Sequence, residues 1–202
     1  MTESEVSCND YDRVAILDAG SQYAKVIDRR IRELAVFSEL VPLQISVSEL
    51  HARQYKAIII SGSPGSVNDP NPVFYDPQLF ECGLPILGIC YGLQMLNKQR
   101  GGTIVRQVVR EDGQFQVKLN TTDCLLFKNM NSLENVLLTH GDSIGELGEN
   151  LISIGTSESF VVACADKDKP IYGVQFHPEV NRVILHWNFL RIKTNHLGRS
   201  NR

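Results

Sequence analysis

Read from the N-terminus, the chain alternates short apolar runs with segments of helical periodicity. Residues 13–17 (R-V-A-I-L) form an apolar run that breaks at D-A-G-S, the punctuation of a strand entering a loop. Over residues 23–34, Val26, Ile27, Ile31 and Leu34 recur at helical spacing, which predicts β1 followed by a helix. Residues 39–43 form a second candidate strand. Residues 57–60 (A-I-I-I), β-branched and closed by S-G-S-P-G-S, form a third with the look of a strand buried on both faces. Residues 85–89 (P-I-L-G-I) make a fourth, running straight into Cys90 and a helical pattern through Leu93, Leu96 and Asn97 that stops at Gly101 and Gly102. Such alternation predicts right-handed βαβ units and a parallel sheet.

After Gly102 the pattern changes. Short alternating segments at 103–105, 115–119, 136–139, 151–155, 160–165 and 171–176 predict hairpins and antiparallel pairing packed onto the first half. Residues 183–194, with Val183, Ile184, Trp187, Leu190 and Arg191, read as a closing amphipathic helix. There is no internal repeat and no linker. The expected fold is therefore α/β: a single-domain three-layer sandwich around a mixed, mainly parallel central sheet, with a flavodoxin-like first half. Its expected extent is residues 13–196, between a disordered N-terminal tail at 1–12 and a C-terminal tail at 197–202.

Composition agrees with one globular domain. The 202 residues are 43% hydrophobic and 21% charged, enough for one sizeable core. A net charge of −3 offers no electrostatic footprint for nucleic acid or an anionic membrane. The polar start M-T-E-S-E lacks the features of a secretory signal, and no apolar run approaches the roughly 18 residues of a membrane helix. The expectation is a cytosolic protein that meets small molecules or other proteins. Five cysteines, irregularly spaced and without a C-x-x-C pair, suggest neither a disulfide framework nor a zinc site.

One of those cysteines stands apart. G-I-C-Y-G at 88–92 lies where an apolar strand meets a helix, with a glycine two residues to either side of Cys90. That is the layout of a nucleophile elbow, a tight turn that lifts the central side chain above the sheet's carboxyl edge. Helix amides and dipole at the same place favour a thiolate. By itself the pattern fits a buried cysteine in a turn equally well. The second piece is Y-G-V-Q-F-H-P-E at 172–179, where an alternating strand ends at His177, Pro178 fixes a turn and Glu179 follows. A thiol needs a base, and the base needs a carboxylate to hold its tautomer. Standing alone, His177 is more simply an ordinary histidine beside a surface glutamate.

Together, G-I-C-Y-G-L-Q at 88–94 and F-H-P-E-V at 176–180 resemble the catalytic pair of the class I (triad) glutamine amidotransferases. Within that family the similarity is greatest to glutaminase domains that serve GMP synthesis. It rests on I-L-D-A-G-S-Q-Y at 16–23, I-I-I-S-G-S-P-G-S-V at 58–67, Q-R-G-G-T at 99–103, V-R-E-D-G at 109–113 and L-L-T-H-G-D-S at 137–143. The resemblance implies Cys90 as nucleophile on the carboxamide of L-glutamine, His177 as proton carrier and Glu179 as its orienting carboxylate. It implies an oxyanion hole from the backbone N–H groups of Tyr91 and Ser63, and substrate binding by Gln94 and by the backbone of Thr139, Gly141 and Asp142. No metal or organic cofactor is implied for the glutaminase reaction. ATP and magnesium would belong to an ATP-pyrophosphatase synthetase domain or subunit, whose S-G-G-x-D-S phosphate loop does not occur in this sequence and which would use the ammonia to convert XMP to GMP. Rival expectations are another amidotransferase role, in anthranilate or carbamoyl phosphate synthesis, and a catalytically silent binding module.

Two positions depart from the family pattern. Ser63 replaces the second glycine of S-G-G-P, and preceding Pro64 it is held to extended backbone. After H-P-E-V, the segment from Asn181 is shorter than the loop expected before the last helix.

Overall fold

A computed structural model describes residues 13–158, 160–181 and 188–190, with the backbone alone for 108–111 and 181. Among the described residues, nine strands form one sheet. In chain order they are β1 (Arg13–Asp18), β2 (Phe37–Pro42), β3 (Ala57–Ile60), β4 (Ile86–Ile89), β5 (Ile104–Leu119), β6 (Leu133–Ile144), β7 (Leu151–Ser157), β8 (Phe160–Asp166) and β9 (Ile171–Val174). The α-helices delimited among the described residues are α1 (Ala24–Glu33), α2 (Val47–Ala52), α3 (Tyr91–Gln99) and the single turn α4 (Pro178–Asn181).

Sheet order is β2-β1-β3-β4-β9-β8-β7-β5-β6. The junctions from β2 through β9 are parallel, and those from β9 through β6 are antiparallel. β9 is thus the seam between two kinds of pairing. Side chains alternate across the central strands and give the sheet two apolar faces. Val14, Ile16, Ile59, Leu87 and Ile89 pack with Ile27 and Ile31 of α1 on one face. Ala15, Leu17, Ile58, Ile60 and Ile86 pack with Leu50 of α2 and with Leu93, Met95 and Leu96 of α3 on the other. Helix, sheet and helix make the three layers of the α/β sandwich.

The expected β3 coincides with the observed strand because every residue in it is buried, and β4 differs by one residue. β2 starts two residues earlier than expected. It is the sheet edge, where Phe37 lies half exposed under the guanidinium groups of Arg13 and Arg32, 5.2 and 5.6 Å from the ring centroid, so its apolar residues do not mark its limits. α2 is an element the apolar pattern does not predict. Its only buried residue is Leu50, so it shows no apolar period, although Ser46 caps it by accepting the Glu49 backbone N–H at 3.2 Å and S-V-S-E at 46–49 is a capping pattern. The expected strands at 103–105 and 115–119 fall, apart from Thr103, in one long β5, whose register to β6 shifts between Arg106 and Glu111. Of the expected closing helix, residues 188–190 are helical, with Phe189 and Leu190 buried. The remainder, the two expected tails and most of the short segment after Val180 lie outside the described residues.

Candidate active site

β4 is buried throughout and paired on both sides, by β3 and β9, so its end is a fixed point of the fold. Cys90 follows it directly, with φ 52° and ψ −99°, a region that L-residues with side chains seldom occupy and that costs of order 1–3 kcal/mol. Its N–H donates to the Val174 carbonyl at 2.7 Å, and α3 begins at the next residue. The turn can be this tight only because of its glycines. A Cβ on Gly88 would fall 2.5 Å from the Gly92 carbonyl carbon, and one on Gly92 would fall 2.9 Å from the Ile60 carbonyl oxygen.

His177 follows β9, the seam strand itself. Past the end of β9, Gln175 N–H donates to the Val162 carbonyl and His177 N–H to the Leu137 carbonyl, so β8 and β6 both hold the segment in place. His177 Nδ1 lies 2.8 Å from Glu179 Oε1. Both side chains are buried, and Glu179 Oε2 meets no hydrogen-bond donor among the described residues. Burial on its own depresses the His177 pKa, but hydrogen bonds to Cys90 and Glu179, with the negative charge near each, outweigh it and push the value up to about 10. The site therefore favours an imidazolium between sulfur and carboxylate. The Tyr23 ring lies against the imidazole with centroids 5.1 Å apart, and Arg30 Nε donates to the Glu179 carbonyl at 3.0 Å, tying α1 to α4.

Above these groups opens a cavity of about 870 Å³ at the carboxyl edge of the parallel strands. Cys90, Tyr91, Gln94 and His177 line it together with Ser63, Thr139, Gly141 and Asp142, so the site residues expected from sequence converge here. Glu179 lies behind His177 and does not reach the cavity wall. The loop after β3 closes one side. At Gly62 an added Cβ would stand 3.4 Å from His177 Cε1 and 3.6 Å from Cys90 Cβ, and Ser66 Oγ donates to the Asp142 carboxylate of β6 across the opening.

Residues outside the set expected from sequence also build this site, among them Tyr23, Gly62, Ser66, Arg106 and His140 on the cavity wall and Gln175 behind Cys90. Gln175 carries a visible signal, a glutamine between the apolar Val174 and Phe176 just past the end of β9, and it is 1% exposed. Its Nε2 lies 3.4 Å from the Cys90 sulfur and its Oε1 3.3 Å from Gln94 Nε2, which also donates to the Asp142 carbonyl at 3.1 Å. Among the described residues, no group of three or more His, Cys, Asp or Glu side chains could hold a metal ion.

Residues 15–184 match the family described as Glutamine amidotransferase class-I. The chain belongs to that family. It is 47% identical over 173 residues to a probable GMP synthase (glutamine-hydrolyzing) of Caenorhabditis elegans, an alignment covering 84% of this chain and 23% of the relative. It is 40% identical over 172 residues to GMP synthase (glutamine-hydrolyzing) of Latilactobacillus sakei, covering 85% of the chain and 33% of the relative. The amidotransferase domain thus spans a quarter to a third of the length of these curated relatives. Among solved structures, a putative GMP synthase subunit from Thermoplasma acidophilum superposes with a TM-score of 0.81 at 24% identity, covering 95% of this chain and 98% of that one. A glutamine amidotransferase of Thermotoga maritima gives a TM-score of 0.66 at 20% identity, covering 94% and 85%. These two likenesses concern the fold. No helix among the described residues is long and apolar enough to cross a membrane.

Proposed function

We propose that this amidotransferase domain hydrolyses L-glutamine to glutamate and ammonia in the cavity above Cys90. The observation that carries the reading is the alignment of Cys90, His177 and Glu179 at the mouth of a glycine-built elbow. The Cys90 thiolate adds to the carboxamide carbon. His177, as imidazolium, gives its proton to the nitrogen, the C–N bond breaks and ammonia leaves a thioester. Neutral His177 then takes a proton from water, whose oxygen adds to the thioester carbon; the C–S bond breaks, and glutamate and the thiolate return. Glu179 keeps the imidazole in one tautomer throughout.

Each tetrahedral intermediate carries an oxyanion, for which the Tyr91 N–H, at the start of α3 and without an intrahelical acceptor, and the Ser63 N–H are the donors. Gln94 and the backbone of Thr139, Gly141 and Asp142 hold the amino-acid end. The reaction needs no metal or organic cofactor. The ammonia passes, in the cytosol, to a synthetase domain or subunit that uses ATP and magnesium to convert XMP to GMP; the name GMP synthase (glutamine-hydrolyzing) of the similar proteins supports the pairing of glutamine hydrolysis with GMP formation. Residues 13–196 form the catalytic domain.

The test is ammonia release from glutamine by the chain alone and with a matching synthetase, together with labelling by a glutamine-mimicking electrophile. Stoichiometric modification of Cys90 and ammonia release that the synthetase stimulates are expected. No glutamine hydrolysis in either condition would overturn the reading.

A further inference from the structure

The buried amides behind Cys90 form a chain whose direction is dictated by its end. The Asp142 carbonyl can only accept, so the Gln94 group 3.1 Å from it must be the NH2. The second hydrogen of that NH2 points at Gln175, 3.3 Å away, which must therefore present its oxygen. Gln175 is left with its own NH2 against the Cys90 sulfur at 3.4 Å. No amide in the chain can be turned round by itself without setting two like groups face to face. Gln94 and Gln175 are 4% and 1% exposed, so water does not compete for these bonds.

We propose that Gln175 is a further member of the reactive centre: its side-chain N–H stabilises the Cys90 sulfur as a thiolate, and its oxygen locks Gln94 with both N–H groups turned away from substrate. Gln94 is then restricted to offering its Oε1, an acceptor, to an N–H of glutamine. The inference rests on the glutaminase reading for its substrate but on geometry alone for the sulfur contact. An N–H held against a thiolate favours the charged form. It also opposes proton return from the imidazolium.

Two variants separate the roles. In Gln175→Glu, the carboxylate still accepts from Gln94 but sets a negative charge against the sulfur. In Gln175→Met, both the donor and the acceptor are lost with little change in volume. The readout is the pH midpoint of Cys90 alkylation by iodoacetamide, followed by peptide mass mapping so that Cys8, Cys82, Cys124 and Cys164 do not contribute. The other titratable groups around the site are unchanged in both variants: His177 and Glu179 after β9, Tyr91 of α3, His140 and Asp142 of β6, Arg106 and Asp112 of β5, Asp69 in the loop after β3, and Tyr23 before α1.

Gln175→Glu is expected to raise the midpoint by about one pH unit or more and to lower kcat about 10-fold or more with little change in KM. Gln175→Met should raise the midpoint less and increase KM as well. A purely structural glutamine would move the melting temperature but neither midpoint. Midpoints in both variants within a few tenths of a unit of the native value would overturn the proposal. Should Gln175→Glu fail to fold, an unchanged midpoint in Gln175→Met overturns it by itself. The labelling is read whether or not glutamine is turned over, so failure of the glutaminase assay in the native chain would count against the proposed function and leave the Gln175 result standing.

Discussion

The two halves of the sheet build the site in opposite ways. On the parallel side, β3 and β4 are four residues each and wholly buried, and they deliver Cys90 through main-chain geometry with no side chain to adjust. On the antiparallel side, β5 runs 16 residues and β6 12, with buried and exposed positions alternating along β6 and a register shift in their pairing. That ribbon supplies Thr139, His140, Gly141 and Asp142 to the opposite wall of the cavity. A nucleophile has to be held to fractions of an ångström, and strands packed on both faces give that rigidity. A wall that does not hold the reacting atoms can be built on a ribbon with exposed positions along it.

Substitutions on the parallel side should accordingly be the costliest. Cys90→Ala is expected to lower glutamine hydrolysis by about 10³-fold or more while the melting temperature stays close to native, since a nucleophile is lost and little packing. More than a tenth of native activity in this variant would sink the mechanism. At the seam, His177→Ala should cost about 10²- to 10⁴-fold, and Glu179→Gln distinctly less, because a neutral amide can still accept from Nδ1. Equal losses, compared as kcat at saturating glutamine, would show that the assumed division of labour is wrong.

A pair of glycines probes the contrast directly. On the parallel side, Gly92→Ala places a Cβ 2.9 Å from the Ile60 carbonyl oxygen, an overpacking worth about 1–3 kcal/mol, and should lower the denaturation midpoint and loosen the elbow together. On the ribbon, Gly141→Ala meets no atom within 4 Å and should leave stability near native while changing KM for glutamine. Comparable destabilisation by both would erase the distinction between a tightly packed half and a more open one.

A further effect expected is a pH dependence of stability. The His177 pKa is raised on folding, so the stabilisation it confers is complete below the ordinary imidazole value of 6.5 and is lost as the pH climbs toward about 10. The stability gap between the native chain and His177→Gln, followed by urea denaturation, should therefore narrow from pH 6 to pH 10. A gap that holds constant or widens would mean that the imidazolium is not the favoured form in the folded state.

How much can be read in advance follows the same division. β3 and β4 are legible because burial on both faces leaves an unbroken apolar run, and the elbow is legible because its turn needs glycines at fixed offsets from Cys90. The joint occurrence of G-I-C-Y-G-L-Q and F-H-P-E-V is enough to name the family. α2 escapes such a reading because one buried leucine makes no period. The full length of β5 escapes it because Glu111, Asp112 and Gly113 resemble a turn, and it is pairing with β6, not apolar alternation, that keeps this stretch extended.

The sequence by itself thus determined the family, the candidate site residues and the elbow on which Cys90 sits, since these depend on neighbours a few positions apart. Tertiary structure decided what each residue faces. Cys90 and His177 are 87 positions apart and meet because β9 inserts beside β4. Gln175, which reads in the sequence as one polar residue in an apolar strand, acquires its partners from α3 and the elbow 81 and 85 positions away. Its significance arises from a hydrogen-bond chain whose direction is set by the Asp142 carbonyl, on a strand from the other half of the sheet.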